Sequence, residues 1–393
     1  MWFPFQIEPI MKIRLPLLII LIVVTALATA QDVLHNHGNL KIHENGAVGF
    51  HLDIVNDGNF DDNLGLAGFY SEDQRTVSGA FRPVFFDIEV VAPNDLILEV
   101  GIGVTNNANF VLGDVKTPRT FMDINLDFGS DAFYASQTAL TKVDGYAAIT
   151  QKKDFVFPIG DDDRLRPLAF SSQIEHTMAK SAYFYEDPNA PTAFLSAFDT
   201  GSKTEILTAV STHEFWDLDT DALSTIKLTW DADSNLSSFV DTIENLRIAG
   251  WHTTNKKWEN LGGNAISGDV DSGVITSDTF VPDDYSAITF GSSFSKENIS
   301  LDNYLLTPNG DGINDFLYFE ALSLSPENNS LKLYNRWGRL VFEADGYQNN
   351  FNGRATNGLV IAVDNNLPDG VYFYILELED INVLHQGYFA IRN

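Results

Sequence analysis

Between Gln31 and Asp144 the chain is a succession of short apolar runs, each closed by a corner of Asn, Gly and Asp. The runs include AVGFHLDIV (Ala47–Val55), LGLAGFY (Leu64–Tyr70), FRPVFFDIEVV (Phe81–Val91), LILEVGIGV (Leu96–Val104) and FVLGDV (Phe110–Val115). Between them lie NDGNFDDN (Asn56–Asn63), APND and TNNAN. β-Branched and aromatic residues alternate with turn formers and no 3.6-residue period persists, so the segment reads as strand and not helix. Asn, Gly and Asp suit the corners because they tolerate positive φ. Runs recurring roughly every 12–20 residues with Asn-rich corners predict the coils of a parallel β-solenoid. The irregular spacing leaves a β-sandwich as the competing architecture for this stretch.

From about Gly145 to Ser293 the pattern changes. DFVFPIGDDDRLRPLAF (Asp154–Phe170) carries a strand, a Pro-Gly turn, an acidic run and another strand. In IKLTW, Ile226, Leu228 and Trp230 alternate with Lys227 and Thr229, the pattern of an antiparallel strand buried on one face. Such strands, joined by polar turns, predict a β-sandwich. The chain is therefore expected to be all-β: a solenoid-like region at 31–144, a central β-sandwich at 145–293, a linker at 294–300 and a C-terminal domain at 301–393.

The N-terminus has the three-part layout of a signal peptide. Lys12 and Arg14 precede an apolar run from Leu15 to Leu27, and Ala28-Thr29-Ala30 supplies a small-residue cleavage site. Residues 1–30 are expected to be a leader, with Met11 as its start and Gln31 as the first mature residue. The apolar run is shorter than the roughly 20 residues a membrane span needs. No later stretch offers a transmembrane anchor. With no cysteine, the chain has neither a lipoprotein attachment point nor a disulfide.

A net charge of -30 argues against nucleic acid, which needs a basic face, and against anionic lipid surfaces. It leaves many carboxylates for calcium, although a solvated acidic surface accounts for most of them.

The last ninety or so residues carry five motifs in order: TPNGDGINDFLYF (Thr307–Phe319), LKLYNRWGRLVFEADGY (Leu331–Tyr347), NNFNGRATNG (Asn349–Gly358), LPDGVYFYILEL (Leu367–Leu378) and a closing HQGYFAIRN. This set resembles the type B C-terminal sorting domain, also called the gliding-motility-associated C-terminal domain, of cargo of the type IX secretion system of Bacteroidetes. The resemblance implies a small immunoglobulin-like β-sandwich, the type IX secretion machinery as partner, and a secreted or outer-membrane-surface location. It also implies a hairpin of strands Leu331–Tyr334 and Arg339–Glu343, with Trp337 packed and Gly338 supplying the turn's positive φ. LPDG reads as the turn that opens the strand Val371–Leu378.

Candidate chemistry is sparse. Asn309, Asp311 and Asp315 bring side-chain oxygens round one point in N-G-D-G-I-N-D, as a calcium loop does. The alternative is an Asx-rich turn in which the same oxygens bond their own backbone. His35 and His37 share one face of a strand and offer the start of a zinc site, with no cysteine to complete it. HEFWD (His213–Asp217) is half of a zincin motif with Asp217 where the second His belongs, in a strand-like setting. Asp161, Asp162 and Asp163 are consecutive and do not converge. Trp216, Trp230, Trp251 and Trp258 fit core packing better than a sugar-stacking platform. No G-x-S-x-G elbow, P-loop or dinucleotide fingerprint occurs. The expectation is a non-enzymatic, structural or adhesive surface protein with an unidentified surface ligand or glycan. The alternative is a carbohydrate-binding or carbohydrate-active protein, because the chain is too rich in Asp and Glu to dismiss a catalytic pair.

Overall fold

The computed structural model describes residues 33–175, 178–204, 206–293, 301, 303–324, 328–356, 366–379 and 383–393. The expected leader and the linker at 294–300 lie outside the described residues. From Val33 the chain winds alternately through two parallel sheets. One stacks Val33–Asn36, Asp53–Asn56, Arg75–Ser78, Leu96–Leu98, Val115–Lys116, Val143–Asp144 and Ile159–Asp161. The other stacks Ala47–Phe50, Leu66–Tyr70, Val84–Val91, Ile102–Leu112, Leu126–Phe128 and Ala147–Ile149. The result is a β-solenoid of about six turns. Val33 lies beside Asp53, Ile54 beside Val77 and Leu96 beside Val115, so these coils take 19–23 residues, while the step from Val115 to Val143 takes 28.

The repeat works because like stacks on like. Ile54, Val77 and Leu98 form one fully buried column. Phe50 packs on Phe69 and Phe69 on Phe85, with ring centroids 5.6 and 5.8 Å apart. Each such side chain contributes about 1.5–3 kcal/mol by leaving water. At the corners the polar residues hold adjacent coils together. Asn56, wholly buried, accepts a bond from Asn36 Nδ2 at 2.7 Å and donates to the Phe81 carbonyl at 2.8 Å. Asp53, Asp95 and Asp114 each accept a backbone N–H from the following coil, at Thr76, Asp114 and Lys142. Buried backbone donors need such partners, which is why the corners are written in Asn and Asp. Gly79, at φ +118, has no room for a side chain, since a Cβ would meet the Asn56 carbonyl at 2.4 Å.

Strand pairing continues without a break past Asp144. Ala147–Ile149 pairs antiparallel with Ala179–Phe184, and the sheet runs on through Phe215–Asp219, Tyr285–Ser293, Leu246–His252 and Trp258–Asn260. A second antiparallel sheet of Asp154–Phe157, Leu168–Ser172, Ser224–Trp230, Gly273–Thr276 and Ala265–Gly268 packs against it. Across the gap Trp230 meets Phe290 edge-on, centroids 6.0 Å apart. This sandwich core is contiguous with the solenoid core. On the other side of the long sheet, Phe184, Phe215, Trp251 and Trp258 are covered by Phe194 and Phe198. All four central tryptophans are buried, as the core-packing reading expects.

The C-terminal region forms a separate five-stranded sheet, ordered Leu305–Leu306, Val383–Ile391, Gly370–Leu378, Asn329–Asn335, Leu340–Asp345. Its inner face, with Leu331, Leu333, Tyr374 and Phe389, is covered by Leu317, Phe319, Tyr347 and Phe351 from non-strand segments. Among the described residues this cover takes the place of a second sheet.

Candidate functional site

The C-terminal motifs explain themselves as turns pinned by their own side chains. In the Thr307–Asp315 loop, Asp315 accepts the N–H groups of Gly310 and Gly312, one on each oxygen, both at 2.7 Å. Asp311 Oδ1 accepts the Ile313 N–H, and Asn309 Oδ1 accepts the Asp311 N–H. The side-chain oxygens of all three residues are thus bonded to local backbone, and Asn309 Nδ2 also donates to Asp311 Oδ2 at 3.0 Å. In NRWG, Asn335 Oδ1 accepts the N–H groups of Trp337 and Arg339, and Gly338 takes φ +72. The hairpin forms where expected. Trp337, however, does not pack: the residue is 78% exposed, with the Arg336 guanidinium 4.8 Å from its ring centre. The turn projects position 337 away from the sheet, so the indole finds no core to enter. Asn349 imitates a strand residue, accepting the Phe319 N–H and donating to its carbonyl. Asp369 of LPDG accepts the Asn393 N–H, which holds its carboxyl below the usual range.

The outer face of this sheet is aromatic. Tyr334, Phe373 and Tyr388 lie side by side in register, and Tyr304 extends the row, its ring 6.2 Å from that of Tyr388. Phe373, Tyr388 and Tyr304 are all exposed.

At the solenoid's first coil, His35 and His37 project outward, with ring centroids 3.6 Å apart. Coil stacking brings them a third residue that motif reading did not pick out. Asp57 follows the Asn36–Asn56 rung, and its Oδ2 lies 2.7 Å from His35 Nε2. The bond to His35, then the Ala80 N–H, holds the Asp57 carboxyl below its usual range. The signal available in the sequence was the coil length, which sets position 57 beside position 37.

The acidic run behaves similarly. Asp161 and Asp162 gather with Asp144 of the preceding coil and not with Asp163. Arg119 already occupies this cluster, 2.7 Å from Asp144 and 3.1 Å from Asp161, so it reads as an ion-pair network.

His213–Asp217 runs into the strand Phe215–Asp219. Glu214 is wholly buried and faces Arg166 Nε at 3.2 Å, while the Tyr183 hydroxyl donates to it at 2.6 Å. Arg166 also grips Asp231 through both terminal nitrogens. Burial lifts the Glu214 carboxyl in spite of Arg166. Asp217, also buried, accepts the Tyr146 hydroxyl at 2.5 Å. Burial lifts its carboxyl to about 6 against that pull. Sequence reasoning did not single out Arg166, Tyr146 or Tyr183. They meet these acids only through sheet packing. His213 is bound at Nε2 to Asn235 and stands apart from both carboxylates' networks.

Residues 299–391 match the family model of the CHU_C type IX secretion signal domain. The C-terminal domain is therefore a type IX secretion signal, and it supports export of the chain by that system to the medium or the cell surface. No curated protein and no solved structure matches the chain. No helix among the described residues is long and apolar enough to cross a membrane.

Proposed function

We propose that residues 31–293 are a rigid, non-catalytic scaffold, displayed or released by type IX secretion, that acts structurally or adhesively. The observation that carries this reading is the continuous sheet from Ala47–Phe50 to Trp258–Asn260, backed by one contiguous buried core. A solenoid fused to a sandwich in this way resists bending and presents long, fixed outer faces to a surface ligand or glycan. Two measurements test it. Deleting residues 299–393 leaves the remainder folded and retained in the cell, while the full chain reaches the surface. The secreted chain, screened against polysaccharides, peptides and esters, binds one class without turning it over. Steady hydrolysis that is lost on replacing one carboxylate or histidine, with folding intact, overturns the scaffold reading in favour of a carbohydrate-active enzyme.

Calcium is our proposed ion for Asn309, Asp311 and Asp315. Their oxygens are the hard donors calcium takes, and each accepts one N–H with a further lone pair remaining. The ion would staple a domain of this size that has no disulfide.

A further inference from the structure

We propose that His35, His37 and Asp57 form a site for a late first-row divalent cation, zinc in the first instance, on the outer face of the solenoid's first two coils. The donor atoms of the three side chains all lie within 4.8 Å of one another. A tetrahedral zinc with bonds of about 2.0–2.1 Å holds its ligand atoms about 3.3 Å apart. The two imidazoles are exposed, so small side-chain rotations close that gap without moving the strands. Two neutral imidazoles and one carboxylate are a donor set suited to zinc, whereas calcium asks for six or more oxygens.

Three features of the fold prepare the site. Strand register fixes the two coils against each other, with Val33 on Asp53 through Asn36 on Asn56. The buried Asn36–Asn56 bond immediately inside the site, at 2.7 Å, locks the corner from which His37 and Asp57 emerge. Asp57 is also oriented from behind, because its Oδ1 accepts the Ala80 N–H of the third coil at 2.9 Å. Such outer bonds are what hold a metal ligand in place. With three protein ligands, the fourth position faces solvent and is open to water or to a donor from a partner. The net charge of -30 raises the local concentration of any cation. A bound ion also ties coil one to coil two, where, among the described residues, the strand Val33–Asn36 is paired on one side.

The test uses the secreted full chain without an affinity tag, titrated with zinc chloride at neutral pH by calorimetry. One equivalent binds at this site, and tenfold excess calcium does not displace it. His35→Ala, His37→Ala and Asp57→Asn each weaken that binding at least tenfold, whereas His43→Ala and His51→Ala leave it unchanged. In the unmutated chain, zinc protects His35 and His37 from diethyl pyrocarbonate, read by mass spectrometry, and slows hydrogen exchange across Val33–Asn56. Absence of zinc uptake by the folded chain overturns the proposal. So does uptake that leaves His35 and His37 as reactive as before, an outcome that does not depend on any variant folding.

Discussion

Replacing Arg166 by Met tests whether the centre of the sandwich is held by charge matching. The guanidinium lies between a wholly buried acid, Glu214, and a half-exposed one, Asp231, at 3.2 and 2.8 Å. Without it, Asp231 solvates, but Glu214 is left as an uncompensated carboxylate in the core. Breaking a buried pair in this way costs about 3–5 kcal/mol. The double variant Arg166→Met/Glu214→Gln removes the stranded charge and keeps an acceptor for the Tyr183 hydroxyl. Its loss is that of a few hydrogen bonds, about 1–2 kcal/mol. The double variant should therefore be more stable than Arg166→Met alone by roughly 2–3 kcal/mol, the sign of two coupled sites. Urea unfolding read by tryptophan fluorescence measures this, because Trp216, Trp230, Trp251 and Trp258 are buried in this unit while Trp337 is already exposed. A single variant within about 1 kcal/mol of the parent, or a double variant no better than the single, would refute the argument.

The other predictions concern pH and calcium. Asp217 has a folded pKa of about 6, above its ordinary 3.8, so the native state holds the extra proton between those values and stability falls as pH rises through that window. The loss amounts to roughly 3 kcal/mol, and Asp217→Asn should flatten the curve of unfolding midpoint against pH from 4 to 6. Calcium should raise the melting temperature of the C-terminal domain in the parent and much less in Asp311→Asn/Asp315→Asn, because an ion that binds only the folded state stabilises it. Identical melting in calcium and in chelator would leave the loop held by its own N–H bonds.

The strands and their class were legible because apolar runs and Asn-rich corners are local signals. The run Ala47–Val55 illustrates the limit: it is two strands, Ala47–Phe50 and Asp53–Asn56, in different sheets, with the corner at His51-Leu52 inside a run read as one. Both strands bury one face in the same core, and the bend carries only His51 and Asp53 as polar residues, with no Gly, Asn or Pro to mark it. The C-terminal hairpin was readable from NRWG, but the orientation of Trp337 was not, since it depends on where the turn points. Sites were legible only as fragments. His35 and His37 are neighbours in sequence, whereas Asp57 arrives by coil stacking, and Arg166 meets Glu214 through two different sheets.

The strand Tyr285–Ser293 lies inside the long sheet, between Phe215–Asp219 and Leu246–His252, yet it is the last of that unit in sequence. Every coil and most of the sandwich precede it in the chain, so without Tyr285–Ser293 that side of Phe215–Asp219 lacks its partner. The residues that follow Ser293 almost at once are those of the secretion signal, 299–391. The strand that completes the scaffold and the export label are thus neighbours in sequence. A truncated product that lacks the label through premature termination before Tyr285 also lacks the strand that completes its own fold, so unlabelled chains of this kind are left open to proteolysis.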